Sequence, residues 1–152
     1  MLRERITAEM KEAMKAREQQ KLSTIRMIQA ALKDKDIEAR GLGKGETSDD
    51  DILALLQKMI KQRQEAAGVY EQGGRPELAE SERAEAQIIQ TFLPQQLDEA
   101  ETKAAIADAI AETGAAGPKD MGKVIGTLKG KYTGRMDFGR ASALVKDALA
   151  GK

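Results

Sequence analysis

Apolar residues in this chain recur every three or four positions along nearly its whole length, and only glycine and proline interrupt the rhythm. That spacing gathers them on one face of an α-helix, whereas a half-buried strand needs a period of two, and no stretch shows one. Leu2, Ile6, Met10, Ala13 and Met14 mark a first helix reaching about Arg17, with a charged opposite face. Leu22, Ile25, Ile28 and Leu32 mark a second, which should stop before the glycine-rich stretch Gly41-Leu42-Gly43-Lys44-Gly45. Ser48 can cap a third helix, whose first turn holds Asp49, Asp50 and Asp51, where the helix dipole favours negative charge. Its buried stripe reads Ile52, Leu55, Leu56, Met59, Ala66 and Tyr70, and Gly73-Gly74 ends it. Pro76 suits the first turn of a fourth helix, running through Leu78, Ala86 and Ile89 to Phe92-Leu93. Pro94 then breaks the chain and sets the expected boundary between an N-terminal helical domain, 1–94, and a tail domain, 95–152, with a short hinge around Pro94-Gln95-Gln96.

In the tail, Asp98 with Glu101 three residues later forms the start signal of a fifth helix, and Gly114 is its natural stop. Pro118 opens a sixth, with an apolar stripe of Met121, Val124, Ile125 and Leu128. After a turn at Tyr132-Thr133-Gly134, a seventh helix capped by Asp137 should bury Ala141, Leu144, Val145, Ala148 and Leu149. The expected fold is therefore all-α: an N-terminal four-helix domain of long helices followed by a small three-helix tail domain. Composition agrees, since only 3% of residues are aromatic and Ala, Leu, Glu, Lys and Arg, which lose little entropy in a helix, dominate. A three-helix unit of this size has a thin core and modest stability of its own.

Composition also narrows the chemistry. With no Cys there is no disulfide framework and no thiolate nucleophile, and with no His neither a Ser-His-Asp nor a Cys-His constellation can be built. The four serines, Ser23, Ser48, Ser81 and Ser142, sit like helix caps or surface residues, so no catalytic residue is expected. Residues 41–48 resemble a phosphate cradle only loosely: no strand precedes them, the Gly-Lys-Ser/Thr order is missing, and three acids follow. Neither Asp49 to Asp51 nor the series Glu77, Glu80, Glu82 and Glu85 converges as metal ligands would, because such spacings fan out around a helix or lace a solvated face with Arg75 and Arg83. We expect no metal site and no cofactor site. The N-terminus is charged from the start and no run approaches the ~20 apolar residues of a membrane span, so the expectation is a protein with no membrane partner and a cytoplasmic location.

Charge is the remaining signal. The chain balances 25 basic against 25 acidic residues, but Asp98 to Thr113 holds five acids and one base, while Pro118 to Lys152 holds eight bases and three acids, a local excess of +5. Within that basic stretch Gly122, Gly126 and Gly130 share one helical face, although each costs about 1 kcal/mol relative to Ala in a helix interior. That cost is accounted for by close packing of a neighbouring helix, with fraying at the helix end for Gly130, or by close approach of an RNA backbone to a surface without side chains. Lys123, Lys129, Lys131, Arg135, Arg140 and Lys146 stand around it and would neutralise several phosphates. With only Tyr132 and Phe138 nearby, recognition of folded RNA by shape and backbone fits better than base stacking.

These residues resemble a known family. Met121-Gly122-Lys123-Val124, Gly134-Arg135-Met136-Asp137 and Leu144-Val145-Lys146 are similar to the tail of the tRNA-dependent amidotransferase B subunit, with Met136 and Phe138 standing where that pattern has Ala and Gly. Upstream, Thr24-Ile25-Arg26, Gln62-Arg63-Gln64-Glu65, Tyr70, Gly74-Arg75-Pro76-Glu77-Leu78-Ala79 and Phe92-Leu93-Pro94-Gln95-Gln96-Leu97 resemble the stand-alone YqeY proteins of the GatB/YqeY family. The resemblance implies a helical domain joined to a three-helix tail that helps grip tRNA in the amidotransferase. It also implies a non-catalytic tRNA-binding or tRNA-associated adaptor, with Gly122, Lys123, Gly126, Lys129, Lys131, Arg135, Arg140 and Lys146 as its RNA-binding residues. The alternative is a protein-interaction module docking an amidotransferase subunit or a translation factor. Carbon-nitrogen ligase activity with glutamine as amido-N-donor is implied by the family name alone, since the cradle domain that performs the transfer in the B subunit has no counterpart among these residues.

Overall fold

The computed structural model describes residues 2–151, and among them every regular element is helical. Four long helices come first: α1 (Leu2–Lys15), α2 (Gln19–Gly41), α3 (Asp49–Gln72) and α4 (Pro76–Gln90). Three shorter ones follow: α5 (Glu99–Thr113), α6 (Met121–Tyr132) and α7 (Phe138–Leu149), with one 3₁₀ turn, Pro118–Asp120, leading into α6. The chain divides into two compact units, Met1–Leu93 and Pro94–Lys152, each with its own core.

The first unit is built on aliphatic side chains at the spacings that make them amphipathic. Ile25, Ile28, Ile52, Leu56 and Ile89 are fully buried, with Ile6 from α1 and Phe92 just beyond α4 closing the cluster. Ser48 caps α3 by accepting from Asp51 N at 3.2 Å, and Pro76 opens α4. Four positions differ from the sequence expectation. Met14 is 49% exposed and Leu78 lies at the surface, where Ala79 is buried instead; Ala67 rather than Ala66 carries the α3 stripe; and in α7 Ala148 is exposed. In α3 and α4 Ile52, Leu55, Leu56, Met59, Ala86 and Ile89 are buried as read, and only these edge positions differ, because the neighbouring helix sets which edge of an apolar stripe is covered. Met14 and Ala148 lie on the solvent side of their helices, each beside a residue that does pack, Ala13 at 1% exposure and Leu149 against the second core.

The second unit packs Ala105, Ile106 and Ala109 of α5 against Val124 and Leu128 of α6 and Ala141 and Val145 of α7. Asp98 and Glu101 form the reciprocal capping box of α5, and Gly114 ends it in the left-handed conformation at φ +68°, which a Cβ would strain. Asp137 caps α7 through Gly139 N and Arg140 N, and a Cβ on Gly139 would stand 3.3 Å from the capping oxygen. Met136 and Phe138, the two departures from the tail pattern, both pack into this core. The stretch 95–97 is fastened to the α6–α7 turn: Leu97 N donates to Arg135 O at 2.9 Å, Gln96 Nε2 donates to Gly134 O, and Arg135 Nε donates to Gln95 O at 3.0 Å.

Candidate nucleic-acid interface

Helix α6 is short because a 3₁₀ turn precedes it and Thr133 leaves helical geometry after it. Val124 and Leu128 are completely buried, and Met121, Ile125 and Tyr132 flank them against the core. At 100° per residue this places Gly122, Gly126 and Gly130 on the opposite side, and all three are exposed. A Cβ built on any of them would meet nothing within 4 Å. Close packing against a neighbouring helix is therefore ruled out within the second unit, where the face they form is open.

The eight residues expected to bind RNA do not form one continuous patch. Gly122, Gly126 and Lys129 share the open face of α6, with Lys123 at its edge. Lys123 Nζ stands 3.8 Å from Asp120 Oδ1, one turn back. Lys131 points away from that face and pairs with Glu112 of α5, which raises its ammonium above the ordinary lysine value. Arg140 Nη2 stands 3.6 Å from Glu99 Oε2 at the start of α5. Arg135 is spent on structure, donating to Gln95 O and lying over the Tyr132 ring at 5.9 Å. Arg135 and Arg140 both border a cavity of about 210 Å³, whose rim also carries Glu99 and Asp137. Lys146 is exposed on α7, and among the described residues neither it nor Lys129 has an ion-pair partner.

Two features escape the sequence reading. Lys119, in the 3₁₀ turn, is exposed in register with the glycine face and has no ion-pair partner among the described residues; an i−3 spacing from Gly122 is the signal that could have included it. The other is a clamp in the first unit. Arg3 grips Asp36 with both terminal nitrogens, at 2.8 and 2.6 Å, and also donates to Thr47 O at 3.0 Å, while Thr47 N donates to Asp36 Oδ1 at 3.0 Å. The Arg3 guanidinium, aided by the Thr47 amide, holds the Asp36 carboxyl far below the usual carboxylate range. The clue is an acid four residues after Leu32, on the apolar stripe of α2. No group of three or more acidic side chains that could hold a metal ion occurs among the described residues.

Comparison with known proteins adds three relatives. A protein of Pyrenophora tritici-repentis named "Altered inheritance of mitochondria protein 41, mitochondrial" is 27% identical over 151 residues, covering 97% of this chain and 81% of its own length. A protein of the same name from Eremothecium gossypii is 30% identical over 145 residues, covering 93% and 77%. A third with that name, from Vanderwaltozyma polyspora, is 31% identical over 97 residues, covering 59% and 51%. Their names overturn the cytoplasmic expectation. That expectation rested on a charged N-terminus and on the lack of a spanning segment, and indeed no described helix is long and apolar enough to cross a membrane. Hydropathy of this kind reports whether a segment prefers a bilayer, and it does not distinguish one aqueous compartment from another. The model of the family described as "Yqey-like protein" matches residues 3–149. The chain belongs to the YqeY-like family.

Proposed function

We propose that this chain is a non-catalytic RNA-binding adaptor whose ligand is folded tRNA, met by the solvent face of α6. The observation that carries the reading is the open glycine face: Gly126 in the helix interior, costly by about 1 kcal/mol, with Gly122 and Gly130 in the first and last turns, none of them packed against a neighbour within the second unit. A phosphate backbone can approach such a surface to main-chain distance, and Lys119 and Lys129, exposed beside it, supply the counter-charge. Recognition is by shape, since Tyr132 and Phe138 lean on the core. The test is the affinity of the whole chain for total tRNA across a salt series. Log affinity should fall linearly with log salt, and Lys119→Glu with Lys129→Glu should weaken binding at least tenfold. Equal binding by that variant removes the reading.

A second reading, docking of an amidotransferase subunit or translation factor, draws support from the first unit. There Val69, Leu42 and Ile37 are 68%, 64% and 57% exposed, unusual for large aliphatic side chains. Co-purification of such a partner that survives nuclease treatment favours it over the first. Sustained glutamine- and ATP-dependent turnover by the pure protein would displace both in favour of a carbon-nitrogen ligase.

A further inference from the structure

The acidic stretch of α5 and the basic stretch of α6 and α7 meet within the second unit, and they meet as pairs. Glu112 near the C-terminal end of α5 holds Lys131, and Glu99 at its first turn is shared between Arg140, at 3.6 Å, and Lys103 of α5 itself, at 3.5 Å. Lys119, Lys129 and Lys146 stand exposed without an ion-pair partner among the described residues. We propose that α5 is an internal competitor for phosphate: its carboxylates keep Lys131 and Arg140 out of RNA contact, and the three unpaired lysines carry the phosphate contacts of the unmodified protein. This rests on the tRNA reading of the tail.

The physics of exchange supports the assignment. In each pair both side chains are at least half exposed, and such surface pairs hold with only about 0 to 1 kcal/mol, so α5 acts as a competitor and not as a lock. A phosphate that takes Lys131 from Glu112 trades one anion for another, with little net gain. The displaced carboxylate then recruits a cation from solution, which cancels the counterion released from the nucleic acid. An exchanged pair therefore adds little affinity and little salt dependence, whereas each unpaired lysine adds about 0.7 to 0.9 to the slope of log affinity against log salt. Three such contacts predict a slope of roughly −2 to −3.

The experiment compares the whole chain with Glu112→Gln, Glu99→Gln, the double variant and Asp147→Asn, with total tRNA as probe and folding followed by circular dichroism. Asp147 is exposed and forms no ion pair among the described residues, so its neutralisation makes the same charge change as each single variant without releasing a base. Glu112→Gln should steepen the slope by about one contact and Glu99→Gln, which releases Lys103 as well as Arg140, by about one to two; the double variant should bind on the order of tenfold tighter at physiological salt, while Asp147→Asn leaves the slope unchanged. Identical behaviour of all the neutralised variants, with tRNA still bound, overturns the competition and leaves the tRNA reading standing. A wild-type slope worth five or more contacts overturns it as well. Binding seen only with the double variant overturns the assignment of the contacts to the three unpaired lysines, and absence of binding throughout sinks both readings together.

Discussion

At the level of single residues, the side chain that most shapes the first unit is Asp36, which sits on an apolar stripe and is buried there by its partners. Arg3 from α1 and the Thr47 amide from the α2–α3 loop supply it with three hydrogen bonds, so one carboxylate ties three segments together. Asp36→Ala leaves Arg3 and Thr47 without their acceptor and should cost about 3 kcal/mol near neutral pH, measured as a shift in urea midpoint. The pH dependence follows from the direction of the shift. Because folding depresses the Asp36 pKa, the stability it contributes is fully present above the ordinary carboxylate value of about 4 and is lost as pH falls toward the depressed one. The gap between wild type and Asp36→Asn should therefore be wide at pH 7 and narrower at pH 3; a gap independent of pH would contradict the assignment. The clamp escaped the sequence reading because the partners of Asp36 lie 33 and 11 residues away, and nothing local names them.

Helix boundaries were largely legible, because caps are local chemistry. Ser48, Pro76, Asp98 with Glu101, Gly114 and Asp137 all act where their residue types and spacing place them. Ser48→Ala should destabilise the first unit by about 1 kcal/mol in denaturant melts, the ordinary worth of an N-cap. Which face of a helix is buried was legible only to within one residue, as Ala67 and Ala79 show. Helix α6 separates stability from binding. A Cβ at Gly126 meets open space, so Gly126→Ala should stabilise the second unit by up to about 1 kcal/mol. The same methyl should hold an RNA backbone away and weaken tRNA binding severalfold. A variant that melts higher and binds equally well would mean that the glycine face is not the contact surface.

On the scale of the molecule, each compact unit holds a separate aliphatic core, and the second is the smaller. We propose that they act as the two domains expected from the break at Pro94. Leu128, fully buried among α5, α6 and α7, offers the test: Leu128→Ala should cost the second unit about 2 to 4 kcal/mol and leave hydrogen-exchange protection of α2 and α3 unchanged. Loss of protection in both units together would show that they unfold as one. By itself the sequence determined the helical class, most helix ends, the core side chains and the uneven charge, because all of these follow from local spacing and residue type. Only the tertiary structure decided that the glycine face of α6 is open, that Lys131 and Arg140 are held by α5, that Arg135 serves the α6–α7 turn, and that Asp36 is buried by Arg3. Each of those depends on which residues distant in sequence come within a few ångströms, and a helical repeat read along one chain segment carries no information about the segment packed against it.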